Sequence, residues 1–184
     1  MAAAFVRWRR TGAADRPVLS LIAVAACVGL GSFTFHTFAT RLAGLADTIP
    51  IVAFIYGYLL LALRRYLGLR AWTALVVLVG FVVASHGLPR LMPGLLRGGL
   101  AHYLPALLAM IAIGVLARAQ TPGRRMLITA CVFAVSLGFR TADIPMCDAF
   151  PLGTHFIWHV LNGVVLYLLL RAAIDERGAK PLRV

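Results

Sequence analysis

Ser32 and His36 stand four residues apart near the start of this chain, His155 and His159 stand four apart near its end, and Asp47 follows closely behind the first pair. Each pair sits inside an otherwise apolar stretch. On a helix, a spacing of four puts both side chains on one face, a turn apart, which is the separation that a single small cation needs. Three imidazoles with a fourth position left to water make an open, hydrolytic zinc centre. The pairs therefore point to a Zn2+ site, and the stretches that carry them point to a site built inside a membrane.

Composition fixes the elements that must position these groups. Apolar residues make up 61% of the 184, charged residues only 13%, and the mean hydropathy is +0.90. A water-soluble core of this length cannot hide so much apolar surface. Runs long enough for a bilayer fall at 18–38, 45–63, 71–85, 100–117, 126–139 and 153–170. The expected fold is all-α, a polytopic membrane helix bundle of about six transmembrane helices. Its parts are an interfacial segment at 1–17, the bundle at 18–172 and a tail at 173–184.

The arginines orient the bundle. Arg7, Arg9, Arg10 and Arg16 precede the first run; Arg64, Arg65 and Arg70 follow the second; Arg118, Arg124 and Arg125 follow the fourth; Arg171, Arg177, Lys180 and Arg183 follow the last. The other connections carry only Arg41, Arg90, Arg97 and Arg140. The positive-inside rule then places both termini in the cytoplasm. A net charge of +12 raises the question of nucleic acid, but the cations form short clusters flanking helices, without a continuous basic face or stacking aromatics. Membrane anchoring accounts for them, and no nucleic-acid partner is expected. Phe5 and Trp8 among the arginines suit a segment lying along the inner interface. The first run is long enough to span and carries site candidates, so it is not read as a cleaved signal peptide. Lys180 is the single lysine, and this preference for arginine fits a GC-rich bacterial genome and hence an inner membrane.

In that topology Ser32, His36, Asp47, His155 and His159 share one outer layer, from near the boundary to roughly 10 Å below it at about 1.5 Å per residue. A bland account exists for each. Asp47, with Thr48 and Pro50, would cap its helix from the headgroup region. Ser32 would bond a preceding carbonyl. His86 and His102 lie at the outer side too and are substitute ligands or interfacial residues, flanking a loop with Pro89 and Pro93 that is a candidate lid or lipid entrance. Asp143 and Asp148 lead to the second pair with Arg140 beside them, as an Arg140–Asp143 ion pair or as groups orienting a ligand histidine. Asn162 and Tyr167 bond to neighbouring helices. Cys27 and Cys131 pack as small apolar residues, Cys147 has no partner at its depth, and no intrachain disulfide is expected.

The segments GSFTFHTFATRLAGLADTIPI at 31–51 and FRTADIPMCDAFPLGTHFIWHVLNG at 139–163 resemble the alkaline ceramidase family. That family belongs to a superfamily of membrane hydrolases and receptors that includes the adiponectin-receptor-like proteins. Members share a serine and a histidine on one helix, an aspartate on the next and a histidine pair on the last. Phe35 before His36, the stretch from Asp47 to Pro50, Asp143 and Cys147, and Trp158 beside His159 favour the ceramidase branch over the receptor branch. The resemblance implies that His36, His155 and His159 hold zinc, that Asp47 orients or deprotonates the attacking water, and that Ser32 contacts that water or the reacting carbonyl. It covers both ends of the bundle and is weak between them. Familiar members have seven helices and an acidic amino-terminal segment tied to calcium; here only Asp15 precedes the first motif, so calcium dependence is not carried over.

The expected activity is hydrolysis of an amide in a membrane lipid, ceramide or a related N-acyl lipid, with release of a fatty acid. In such a centre the attacking water has a pKa of about 7. Asp47 acts as general base and then returns the proton to the leaving amine, while Ser32 hydrogen-bonds the developing oxyanion. The acyl chain lies among the helices, with the lipid head toward the outer leaflet. The alternatives are a lipid sensor with the same metal site and little turnover, and a transport or structural protein whose histidines relay protons or bind haem.

Overall fold

A computed structural model describes residues 1–11, 15–91, 100–146, 148 and 150–176. Among these, every regular element is a helix: α1 (Ala2–Arg10), α2 (Arg16–Phe38), α3 (Arg41–Arg65), α4 (Ala71–Leu91), α5 (Leu100–Leu116), α6 (Thr121–Met146) and α7 (His155–Asp175). Four stretches are long and apolar enough to cross a membrane: Arg16–Phe38, Arg41–Arg65, Thr121–Asp143 and His155–Asp175. Ala71–Gly87 and Leu100–Leu116 are shorter apolar helices. Large apolar side chains face outward throughout, with Leu30, Ile128 and Val160 exposed by 68, 62 and 64%. An aqueous surface penalises that arrangement and a hydrocarbon one favours it.

Helix boundaries follow caps more closely than they follow hydropathy. Asp15 caps α2 by accepting from the Val18 N–H at 3.4 Å, with Pro17 in the first turn. The helix stops where Ala39 takes a left-handed conformation, φ 49°, and donates its N–H to Phe35 O at 2.8 Å. Thr40 then caps α3, its hydroxyl accepting from the Ala43 N–H at 3.2 Å. The second span therefore begins at Arg41 rather than at 45, and the cap belongs to Thr40. Asp47 lies beyond the first turn and is no helix cap. Likewise α6 runs to Met146, well past the expected 139. Its polar residues have partners: the Ser136 hydroxyl donates to Asn162 Oδ1 on α7 at 2.9 Å, and Thr129 donates to Arg125 O at 2.8 Å. The interfacial segment contains a helix of its own, α1, with Ala4 fully buried, so the described residues form seven helices, of which four are long and apolar enough to span where about six spans were expected.

The α2–α3 hairpin is closed by a missing side chain. Gly31 rests on the carbonyl of Ala46, where any Cβ would collide with the oxygen. That carbonyl is the one to which Pro50, lacking an N–H, cannot donate within the helix. At the opposite end of the bundle, Tyr58 donates to Leu169 O at 2.9 Å and Arg65 Nη1 donates to Ala173 O at 2.9 Å, pinning α3 to α7. Arg65 also pairs with Asp15 at 2.9 Å, while Asp175 holds Arg7 of α1 at 2.7 Å and Arg125 of α6 at 2.6 Å. These arginine clusters thus meet at one end of the bundle. Cys27 and Cys131 are free and exposed on outward faces, instead of packed inside, because α2 and α6 turn those positions away from the core. Cys147, the 92–99 part of the candidate lid loop and the tail from 177 onward lie outside the described residues.

Candidate metal centre

His36 stands near the end of α2, while His155 and His159 occupy the first two turns of α7. One ligand nitrogen from each lies within 4.8 Å of the others. The ring centroids are 5.4 Å apart for His36 and His155, 4.8 Å for His36 and His159, and 4.7 Å for His155 and His159. Two helices far apart in sequence, α2 and α7, thus bring three imidazoles together.

The hydrogen bonds orient two of the rings. Thr34 and Thr37 bond back to carbonyls of their own helix, Leu30 O and Phe33 O, both at 2.8 Å. Ser32 instead reaches across to α7, its Oγ 3.4 Å from His159 Nδ1. Sequence left Ser32 to bond a preceding carbonyl or, by resemblance, to contact the attacking water or the reacting carbonyl; the contact found is with the His159 imidazole. His159 Nε2 is buried and has no hydrogen-bond partner. For His155, Nδ1 lies 3.2 Å from Asp143 Oδ2, and Asp143 Oδ1 accepts the backbone N–H groups of Thr154 at 2.8 Å and His155 at 2.9 Å. Asp143 thus contacts the His155 ring, as one of the two roles open to it in the sequence requires, with Arg140 in electrostatic reach of it, as the other does.

Asp47 is half-buried on α3, within electrostatic reach of His36 and of Tyr103, and its Oδ1 is buried without a hydrogen-bond partner. Orphaned polar atoms in an apolar bundle are unfavourable unless each finds a partner. Three imidazoles, one with its Nε2 left open, and a carboxylate in electrostatic reach of one of them are donors of the kind that Zn2+ takes. Zinc–nitrogen bonds of about 2.0–2.1 Å set tetrahedral ligands about 3.4 Å apart, so small side-chain rotations close the group. The residues fit the ion.

The remaining candidates separate cleanly. His86 is exposed on α4 and its Nδ1 lies 2.9 Å from Val82 O of its own helix. His102 is exposed on α5, and neither histidine belongs to the three-histidine group found among the described residues. Asp148 is exposed. Two further neighbours are Arg140, which sequence had marked only as a partner for Asp143, and Tyr103, which it had not marked. Arg140 Cζ sits 5.1 Å from the Trp158 ring centroid and its Nη1 lies 3.2 Å from His155 Nδ1, while Tyr103 packs edge-on against Trp158 at 5.9 Å. An arginine at the outer end of an apolar run was the available signal for the first; nothing in the sequence marks the second.

Comparison of the chain with protein-family models, with curated proteins and with solved structures returns no match.

Proposed function

We propose that this protein is a zinc-dependent membrane amide hydrolase that releases a fatty acid from ceramide or a related N-acyl lipid. The observation that carries the reading is the convergence of His36, His155 and His159, with Asp47 within electrostatic reach of His36. The local wording shared with alkaline ceramidases adds the substrate class. The protein spans the bilayer with six helices, α2 to α7, both termini in the cytoplasm and the site near the outer face. Support comes from the arginine-rich end formed by α1, the α3 terminus and the start of α6, which lies opposite the histidines.

His36, His155 and His159 would hold the zinc ion. When bound, that ion supplies Lewis acidity toward the amide carbonyl and makes a water strongly nucleophilic at neutral pH. Asp47 Oδ1, with no competing donor, accepts the proton that the water loses as its oxygen attacks the carbonyl carbon. The same carboxyl returns that proton to the amide nitrogen as the C–N bond breaks, so the immediate products are a fatty acid, which keeps the water's second proton, and a neutral amine; the acid then ionises and the amine protonates in solution. A serine hydroxyl has one hydrogen to give and two lone pairs. With the hydrogen on His159 Nδ1, Ser32 accepts it, which leaves His159 Nε2 open to a ligand and the serine's own hydrogen free for the oxyanion. The acyl chain lies among the apolar helix faces of the bundle.

The test is zinc per chain, by elemental mass spectrometry, in detergent-purified wild type and His159→Ala, followed by fatty-acid release from N-acyl lipids. One zinc in the wild type, none in the variant and multiple turnovers are expected. Zinc without turnover would turn the reading to a lipid sensor; no zinc in folded wild type would end it.

A further inference from the structure

His155 Nδ1 has two neighbours that make opposite demands on it. Asp143 Oδ2, at 3.2 Å, is an acceptor and needs a hydrogen on Nδ1. Arg140 Nη1, also at 3.2 Å, is a donor and needs a lone pair there. A neutral imidazole carries one N–H, so satisfying one neighbour decides the state of the other nitrogen. With the hydrogen on Nδ1, Nε2 presents its lone pair and can bind a cation. With the hydrogen on Nε2, it cannot.

We propose that Asp143 is a positioning residue that holds His155 in its metal-binding tautomer against the competing donor Arg140. The inference rests on the metal reading of the histidine group. The carboxylate has the advantage because it is fixed in place: its Oδ1 takes the Thr154 and His155 N–H groups, two of the donors that the start of α7 leaves without partners inside the helix. Thr154 supplies no side-chain cap of its own; its hydroxyl is committed to Phe139 O at 2.6 Å on α6. One carboxylate therefore ends the helix and orients the ring that the helix carries. Arg140 is held by a different surface, the face of Trp158, and its Nε is buried without a hydrogen-bond partner. Its guanidinium needs no bond from His155 Nδ1 to stay where it is.

The experiment compares wild type, Asp143→Asn, Asp143→Ala and Asp143→Ala/Arg140→Met as full-length protein in detergent. Two readouts are taken: zinc affinity against a competing chelator, and the His155 tautomer in zinc-stripped, 15N-histidine-labelled protein, assigned by its loss in His155→Asn. Asp143→Asn retains an oxygen to cap α7 but turns an NH2 toward Nδ1. It is expected to move the hydrogen to Nε2 and weaken zinc binding by about 10- to 100-fold. Asp143→Ala is expected to bind zinc more weakly than Asp143→Ala/Arg140→Met, since removing the competing donor frees the ring; loss of a cap alone cannot produce that recovery. An unchanged tautomer and zinc affinity in Asp143→Asn would overturn the proposal, as would a double variant no better than Asp143→Ala. A wild type that takes up no zinc ends the metal reading instead, while the tautomer spectrum, recorded without metal, still decides whether Asp143 positions His155.

Discussion

Gly31 of α2 lies directly on the Ala46 carbonyl of α3, and their sequence neighbours, Ser32 and Asp47, are two of the groups assigned to the chemistry. The close approach is what puts a ligand-bearing helix and an acid-bearing helix within one site. Adding a methyl group at position 31 must push the helices apart, because the obstructing atom is backbone and cannot rotate away. Gly31→Ala is expected to cost about 1–3 kcal/mol and to lower zinc occupancy with it. Gly29→Ala on the same helix, where a Cβ meets nothing within 4 Å, is the control and should melt like wild type. Thermal melts in detergent with parallel zinc analysis check both.

Removal of the metal should be felt as stability. With ligands drawn from α2 and α7 as proposed, an ion that binds only the folded bundle would raise its stability by about 2.7 kcal/mol at a concentration one hundred times its Kd. Dialysis against a chelator should lower the melting temperature and zinc should restore it. His155→Ala should show neither effect, whereas His86→Ala and His102→Ala should respond as wild type does.

Asp47→Asn is expected to keep zinc, because the three imidazoles are intact, and to lose fatty-acid release by about 10²- to 10⁴-fold. Single-turnover assays on protein of measured zinc content separate the two quantities. Full turnover in the zinc-loaded variant would remove the proton-transfer role from this residue.

At the arginine-rich end, Asp175 is the shared partner of Arg7 and Arg125. Asp175→Asn should release α1 from the bundle at a cost of about 1 kcal/mol, since Arg7 is partly exposed and screened by solvent. The measurement is trypsin cleavage after Arg9 and Arg10, which should quicken in the variant while zinc content stays unchanged. Equal cleavage rates would mean that burial of Ala4 and its apolar neighbours holds α1 without the ion pairs.

Hydropathy made the helices legible, and the spacing of four in each pair marked residues that share a helix face, because both are local properties of a helix. Hydropathy could not mark helix ends. Arg41 and the 140–146 stretch fall outside apolar windows yet are helical, since Thr40 caps α3 and Ser136 and Asp143 find partners across to α7. The contacts of Ser32 with His159 and of Asp143 with His155 were legible only as neighbourhoods, for they depend on which side chain faces which across a helix interface. Arg140 illustrates the limit: its charge marks a connection in sequence, while its packing on Trp158 is a matter of three dimensions.

The link between α2 and α3 is only Ala39 and Thr40, one in a left-handed turn and the other a cap. His36 and Asp47 are therefore mounted on a single stiff part, and His155 and His159 on another. On the proposed hydrolase reading, a lipid chain of variable length would be accommodated by the relative placement of these two pieces, each keeping its own half of the polar groups in register.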